Sequence, residues 1–357
     1  MVKDEAIFLT GFPGFIASRL VKRLAQESPS HFLLLVQPAF AGRARAEIER
    51  IAEETGSSID RFQVFEGDIT KENVGLSAED ARRIKDQTTF LFHLAAVYDL
   101  EVARDLAMLV NFNGTRNVNS LARTLPNLRR YHYVSTCYVA GKRTGLILET
   151  ELEHSAGFRN YYEETKYLAE AEVEKLKSEL PVTIHRPSVV CGDSGTGETA
   201  KYDGVYYLIL YLLKQPNLLS LLNIGNDDVR LNLVPVDFVV EGMAALLEDE
   251  KAIGKTVQLA DPSPLTTKEL FETISKVLVG RGSVLTVPPP LVKSTLTLPV
   301  SPMITGLPAS AVPYFFINQT YDTQVCRELL EPYGVRRPKF DTYVENLVEF
   351  VKEHPEL

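Results

Sequence analysis

A glycine-bearing turn near the N-terminus constrains this chain more than any other feature. Ala6-Ile7-Phe8-Leu9-Thr10 is a short apolar, strand-like run, Gly11-Phe12-Pro13-Gly14 breaks it, and Phe15 to Gln26 carries apolar residues at helical spacing. Gly11 permits a tight turn, and Gly14 lets an anion approach the backbone. The helix that begins near Gly14 offers that anion unpaired N–H groups and the positive end of its dipole. Ala17 holds the third small position, where helix and strand pack closely. Two glycines in a turn say little alone, but between an N-terminal strand and an amphipathic helix they specify a dinucleotide-binding unit. Thr10, Gly11, Phe12, Pro13, Gly14, Phe15 and Ile16 are therefore the expected pyrophosphate-binding residues.

The pattern that follows repeats this unit. Strand-like runs at His31 to Val36, Phe62 to Phe65, Thr89 to Leu94, Arg130 to Val134 and Val182 to His185 alternate with helical stretches. The helices are expected at Arg43 to Glu54, Leu106 to Leu125 and Tyr161 to Leu180. Alternation with β-branched apolar strands predicts an α/β fold, a doubly wound parallel Rossmann sheet covered on both faces. After Val190 the pattern loosens. Helices are expected at Tyr206 to Leu213, from Val236 through Leu247 and at Thr267 to Val279, with a late strand at Gln258 to Ala260. Residues 1–195 and 232–260 thus read as the NAD(P)-binding Rossmann domain, and 196–231 and 261–357 as a smaller C-terminal α/β substrate lobe.

The end of the second strand bears on the cofactor. NAD binders usually place an acidic residue there for the ribose hydroxyls. Here the strand ends Leu35-Val36-Gln37-Pro38, no Asp or Glu follows until Glu47, and Arg43 and Arg45 lie close by for a 2′-phosphate. NADP(H) is the expected cofactor, with NAD(H) the alternative. Asp68 and Ile69 follow the third strand, where a carboxylate could meet the adenine side. Leu94, Ala95 and Ala96 follow the fourth, where small side chains let the backbone approach the cofactor.

Tyr162 and Lys166 are four residues apart on one helix and share a face. A free phenol, with a pKa of about 10, is a poor acid–base catalyst near neutrality. A neighbouring ammonium stabilises the phenolate and brings that value down. A hydroxyl from Ser135 or Thr136 would hold a substrate oxygen as charge develops on it. Tyr138 and Lys142 repeat the spacing, but Gly141 lies between them at a strand end, so no helix aligns them.

With these residues in place, the chain resembles the extended short-chain dehydrogenase/reductases. The resemblance rests on Thr10-Gly11-x-x-Gly14-Phe15-Ile16, Gly67-Asp68, His93-Leu94-Ala95-Ala96, Asn111-x-x-Gly114-Thr115, Val134-Ser135-Thr136, Tyr162-x-x-x-Lys166, Arg186-Pro187 and Val234-Pro235-Val236-Asp237-Phe238-Val239, in order along most of the chain. Tyr133 to Val139 and Arg186 to Val190 look like the male-sterility or fatty acyl reductase branch, which includes thioester reductase domains. The resemblance implies a catalytic triad of Thr136, Tyr162 and Lys166, with Asn111 supporting a proton relay. It also implies Pro187 and Val189 near the nicotinamide, Asp68 near the adenine, and Lys166 on the nicotinamide ribose. Gln37 stands where acyl reductases often carry an arginine for the NADP phosphate.

Composition narrows the partners. A net charge of −9 with no dense basic stripe argues against nucleic acid. Three scattered cysteines, Cys137, Cys191 and Cys326, fit a reduced cytosol, and the N-terminus lacks a signal-peptide shape, so a cytoplasmic protein is expected. The six histidines show no metal-ligand spacing, so no metal is expected, and His93 and His185 read as strand-end packing residues. Cys137 reads as a buried strand residue facing away from Thr136, not as a thioester-capturing nucleophile, and Ser194 lacks the spacing of a hydrolase elbow.

From Val284 to Gln319 the only charge is Lys293, and Pro288, Pro289, Pro290, Pro299, Pro302, Pro308 and Pro313 forbid a continuous spanning helix. With Leu291, Leu296, Met303, Tyr314, Phe315 and Phe316, this stretch reads either as an apolar cover over the cleft or as a packed lobe or homodimer interface. Tyr206, Tyr207, Leu210, Tyr211 and Leu212 would form the opposing wall. A cover implies a hydrophobic carbonyl substrate: an aldehyde, a ketone or an acyl thioester. The alternatives are a nucleotide-sugar epimerase or dehydratase, which needs a more polar pocket, and a non-catalytic cofactor sensor, against which the intact Tyr162/Lys166 pair speaks.

Overall fold

The computed structural model describes residues 5–214, 216–296 and 312–357. Seven parallel strands form the main sheet: β1 (Ala6–Thr10), β2 (His31–Val36), β3 (Phe62–Glu66), β4 (Phe90–His93), β5 (Arg130–Val134), β6 (Val182–Pro187) and β7 (Thr256–Leu259). Their spatial order is β7-β6-β5-β4-β1-β2-β3. Every residue of β1, β4 and β5 is buried, as a parallel sheet covered on both faces requires. Alternation assigns the faces. Ile7, Leu9, Phe32, Leu34 and Phe92 pack with Leu20, Val21 and Leu24 of helix α1 (Phe15–Glu27) and Ile48 and Ile51 of α2 (Ala41–Thr55). Phe8, Leu33, Leu35 and Leu91 face the other way, toward Val118 and Leu121 and toward Ala169, Val173 and Leu176. That is the doubly wound sheet expected from the sequence.

The chain runs outward from β1 through β2 to β3, then crosses back to β4 on the other side of β1. Helices diverge at this point, which leaves a crevice at the carboxyl ends of β1 and β4.

The short parallel pair Val189–Cys191 and Leu233–Pro235 carries the chain out of the sheet and back. Beyond it a separate core forms from Tyr206, Ile209 and Leu212, from Leu270, Phe271 and Ile274, and from Leu347, Val348 and Val351. Residues 319–330, expected in this lobe, return to the Rossmann core. Gln319–Tyr321 pairs with Gly145–Ile147 in a separate two-stranded sheet, and the helix Gln324–Leu330 places Cys326, Leu329 and Leu330 in the core with Leu259 of β7. Glu149 fixes that return, because its carboxylate accepts the backbone N–H groups of Gln258, Val325 and Cys326.

The expected long helix from Leu106 to Leu125 is interrupted. A π turn, Met108–Asn113, leads into the helix Gly114–Ala122. The helix expected to reach Leu180 ends at Leu176. Pro299, Pro302, Met303 and Pro308 lie outside the described residues. Among the described residues no helix is long and apolar enough to cross a membrane.

Candidate active site

The glycine turn meets the end of β4 in the crevice. Gly11 has φ +94°, and a methyl added there would lie 2.8 Å from Ala95 N and 2.9 Å from the Leu94 carbonyl carbon. One at Gly14 would lie 2.6 Å from Gly11 O. Both positions therefore exclude a side chain, one for its conformation and contact, the other to let the turn close. Phe12 and Pro13 are buried beneath, while Gly11, Gly14, Phe15 and Ile16 are partly open to the crevice, as are Leu94, Ala95 and Ala96. The first turn of α1 carries neither a side-chain cap nor an acidic residue, so its N–H groups are available to an anion. Gln37 is exposed at the end of β2, beside the Asp68 carboxylate. Burial opposes ionisation there, but the Thr70 bonds and then Gln37 hold Asp68 below the usual carboxylate range. Ile69 is buried against Gly114. Arg43 is exposed near the start of α2. The turn, the free helix end and Asp68 fit a dinucleotide.

The helix Tyr161–Leu176 is capped by Asn160, whose side chain accepts from Glu163 N at 3.0 Å. It carries Tyr162 in its first turn, half-buried, and Lys166 one turn on, 3% exposed. The Thr136 hydroxyl faces the Tyr162 phenol. Burial pushes that phenol up to about 12, against the pull of Thr136 and aided by the negative charges of Glu163 and Asp203. The two hydroxyls differ in their partners: Ser135 donates to Glu170, and Thr136 faces Tyr162.

Lys166 does not reach toward the phenol here. Its Nζ donates to Tyr133 Oη at 3.0 Å and to the Val134 carbonyl at 2.8 Å. Burial draws its pKa down to about 7, with Glu170 opposing. Asn111, in the π turn, spends its amide on Val97, with N–H···Oδ1 at 2.8 Å and Nδ2–H···O at 2.9 Å, and on Thr165 Oγ1 at 3.1 Å. It therefore ties the loop after β4 to the helix that carries Tyr162. Pro187 is buried at the end of β6, and Val189 borders the cleft just beyond it.

Four residues to which the sequence reading gave no role at the site belong to this neighbourhood. Tyr133 touches Lys166, and Glu170 joins Ser135 to the buried guanidinium of Arg186 at 2.5 Å. His93 bridges Thr10 Oγ1 at 2.7 Å and Thr115 Oγ1 at 3.0 Å, so it is more than packing. Asp203 lies near Tyr162, beside Gly204, where an added methyl would sit 2.8 Å from Val189. His93 and Tyr133 fall inside motif stretches, but only their contacts in the fold, like those of Glu170 and Asp203, bring them to the site. Cys137 is buried with its thiol on the Arg186 carbonyl, and burial pushes its pKa well up, which disarms it as a nucleophile.

Residues 9–243 match the family model described as male sterility protein. The chain belongs to that family. Among curated proteins it is similar to the fatty acyl-CoA reductase wat of Drosophila melanogaster, 24% identical over 278 residues, covering 68% of this chain and 54% of that one. It is also similar to glycine betaine reductase ATRR of Emericella nidulans, 26% identical over 287 residues, covering 76% of this chain and 22% of that one. The chain thus spans about half or less of these relatives. Among solved structures, the terminal R domain from the myxalamid PKS-NRPS pathway superposes with a TM-score of 0.84 at 23% identity, covering 99% of this chain and 92% of that one. UDP-glucuronic acid 4-epimerase from Bacillus cereus gives 0.69 at 18% identity, covering 98% and 97%. At such identities these two share the fold with this member of the male sterility family.

Two hollows lie in and beside the lobe of this family member. One, of about 310 Å³, is lined by Tyr138, Ser188, Val189, Arg230, Asn232, Tyr314 and Gln319. Tyr314 is held there by its hydroxyl on Glu163 at 2.7 Å and by its ring 4.7 Å from that of Tyr138. The other, of about 580 Å³, is walled by Tyr207, Tyr211, Phe271, Val292, Leu296 and Phe316. The described part of the proline-rich stretch therefore packs on the Tyr206–Lys214 helix and leaves an aromatic and aliphatic hollow between them.

Proposed function

We propose that this chain is an NADPH-dependent reductase of acyl thioesters or related carbonyls with a hydrophobic chain. The observation that carries the reading is Tyr162, half-buried on the helix that also holds Lys166, with its phenol facing the buried Thr136 hydroxyl that follows β5. Gly11, Gly14 and the first turn of α1 would hold the pyrophosphate, Asp68 the adenine side, and Pro187 and Val189 the nicotinamide side. When bound, the dinucleotide supplies the hydride. Tyr162 donates the proton to the substrate oxygen, and Thr136 holds that oxygen as charge gathers on it. Lys166, as an ammonium, favours the phenolate that remains. The preference for NADPH rests on Gln37 where an acid would stand and on Arg43 near the same edge.

The substrate class draws on the relatives named for fatty acyl-CoA reduction and on the 580 Å³ hollow, whose mainly aromatic and aliphatic lining suits a hydrocarbon tail. The test is NADPH or NADH oxidation, followed at the nicotinamide band, against medium-chain acyl thioesters, aldehydes and ketones. Consumption of NADPH with the acyl thioesters is expected. Tight dinucleotide binding without turnover on any of the three overturns the reading.

A further inference from the structure

The hollow of about 310 Å³ abuts the proposed reacting centre. Tyr138 follows Thr136 by two residues, and its N–H donates to the Thr136 hydroxyl at 3.2 Å. Ser188 stands between Pro187 and Val189. Tyr314 is held by Asn160 and Glu163, which flank Tyr162 along the chain. Most polar groups in this wall are already matched. Tyr314 Oη donates to Glu163 at 2.7 Å and accepts from Asn160 Nδ2 at 2.7 Å. Asn232 exchanges two bonds with the backbone of Asp261, each at 2.8 Å. Gln319 gives Nε2 to the carbonyls of Gly141 and Arg143, and its Oε1 accepts the Tyr321 hydroxyl at 3.0 Å. Arg230 gives one N–H to the Pro264 carbonyl and is 43% exposed, so water serves the rest of its guanidinium. Two hydroxyls are left over. Ser188 Oγ is enclosed and has no hydrogen-bond partner. Tyr138 Oη bonds no other group among the described residues, although its ring packs 4.7 Å from that of Tyr314.

We propose that this hollow is a subsite for a second, unreacting carbonyl oxygen of the substrate, an amide or a ketone a few bonds from the carbonyl that is reduced. The hydroxyls of Ser188 and Tyr138 donate to it. The proposal rests on the reductase reading above and deepens it. An unmatched O–H in an enclosed wall is costly, and a carbonyl oxygen brings a lone pair for each of the two protons. A ligand N–H would leave both protons unmatched. The one cation of the wall, Arg230, is half-exposed and served by water, so the subsite does not call for an anion. The turn Val312–Phe316 separates this hollow from the larger one, with Tyr314 on one side and Phe315 and Phe316 on the other. The two hollows together select a substrate that is hydrocarbon on one side and carries an oxygen function on the other.

The experiment compares two pairs of matched substrates. One is a straight-chain aldehyde and its analogue of equal length with a ketone in the chain. The other is the pentanethiol and the N-acetylcysteamine thioester of one fatty acid, which moves the extra oxygen to the thiol side. In the wild-type chain, kcat/KM for the oxygen-bearing member of at least one pair should exceed that of its plain partner by about tenfold or more. Ser188→Ala and Tyr138→Phe should each cut that ratio at least about threefold, and the double variant should bring it close to one. Tyr138→Phe keeps the ring that packs on Tyr314. Because Ser188 Oγ has no partner, Ser188→Ala should leave the urea midpoint unchanged or raise it. A lowered midpoint would make the hydroxyl structural and overturn the proposal. Ratios near one for both pairs, or ratios that neither variant moves, overturn it too. Should no compound turn over, the reductase reading fails, and calorimetric titration with the two oxygen-bearing compounds decides the subsite separately. Binding that both variants weaken supports it, and binding indifferent to both overturns it.

Discussion

Tyr162 and Lys166 sit four residues apart on one helix, yet their polar ends face different partners. The phenol meets Thr136, and the ammonium meets Tyr133 and the Val134 carbonyl. Tyr162→Phe removes only the oxygen that gives up the proton. Turnover should drop by 10²-fold or more while the dinucleotide dissociation constant, read by titration calorimetry, changes less than about threefold. Glu170→Gln belongs to a different problem. It keeps an acceptor but removes the negative charge opposite Arg186, which is 1% exposed and bonded to that carboxylate through Nε at 2.8 Å. An uncompensated buried guanidinium should cost about 3–5 kcal/mol in urea unfolding. Single residues on a recurrent spacing, Tyr162 and Lys166 among them, were legible in the sequence. Tyr133 and Glu170 were not, because what selects them is a contact across β5 and β6 that no local pattern records.

At the scale of elements, the strand Arg130–Val134 and the helix Thr267–Val279 are read from the sequence to the residue. The first is a dense apolar and aromatic run after a turn. The second carries a capping box, with Thr266 and Glu269 each bonding the other's backbone. The π turn at Met108–Asn113 escaped the same reading, since its cause is tertiary: the Asn111 amide is pulled onto Val97 and Thr165. The glycine turn is the opposite case, where local chemistry and tertiary demand agree. Gly11→Ala places a methyl 2.8 Å from Ala95 N at φ +94°, two penalties at once. It should cost about 1–3 kcal/mol of stability and weaken dinucleotide binding at least tenfold. Thermal unfolding with and without NADPH reads both effects, and unchanged affinity would mean that the turn is not where the pyrophosphate lies.

Across the whole molecule, the sheet order follows from alternating strands and helices, but the return of residues 319–330 to the Rossmann core does not. Gln319–Tyr321 is too short to announce itself, and the helix behind it is placed by the buried carboxylate of Glu149. The interior also holds three neutral histidines, His93, His132 and His185. Burial first, then neighbouring positive groups, keeps His93 and His185 down to about 3 and His132 well below its ordinary value. An unfolded histidine titrates at about 6.5. Between those values the unfolded chain binds protons that the native one refuses, so stability is full above about pH 6.5 and is lost as pH falls. Glu149 works the other way. Burial raises it to about 7, so the native state takes up its proton first and gains stability on acidification. Three bases against this acid leave a net loss of about 1–3 kcal/mol per pH unit below pH 6.5. Urea midpoints measured from pH 7.5 to 5 should therefore fall steadily. His132→Phe should flatten that fall, since the phenyl ring can keep the stack at 4.2 Å from the Phe92 ring without anything to protonate. A midpoint that rises toward pH 5 in the wild-type chain would mean that the buried carboxyls, not the histidines, set its acid stability.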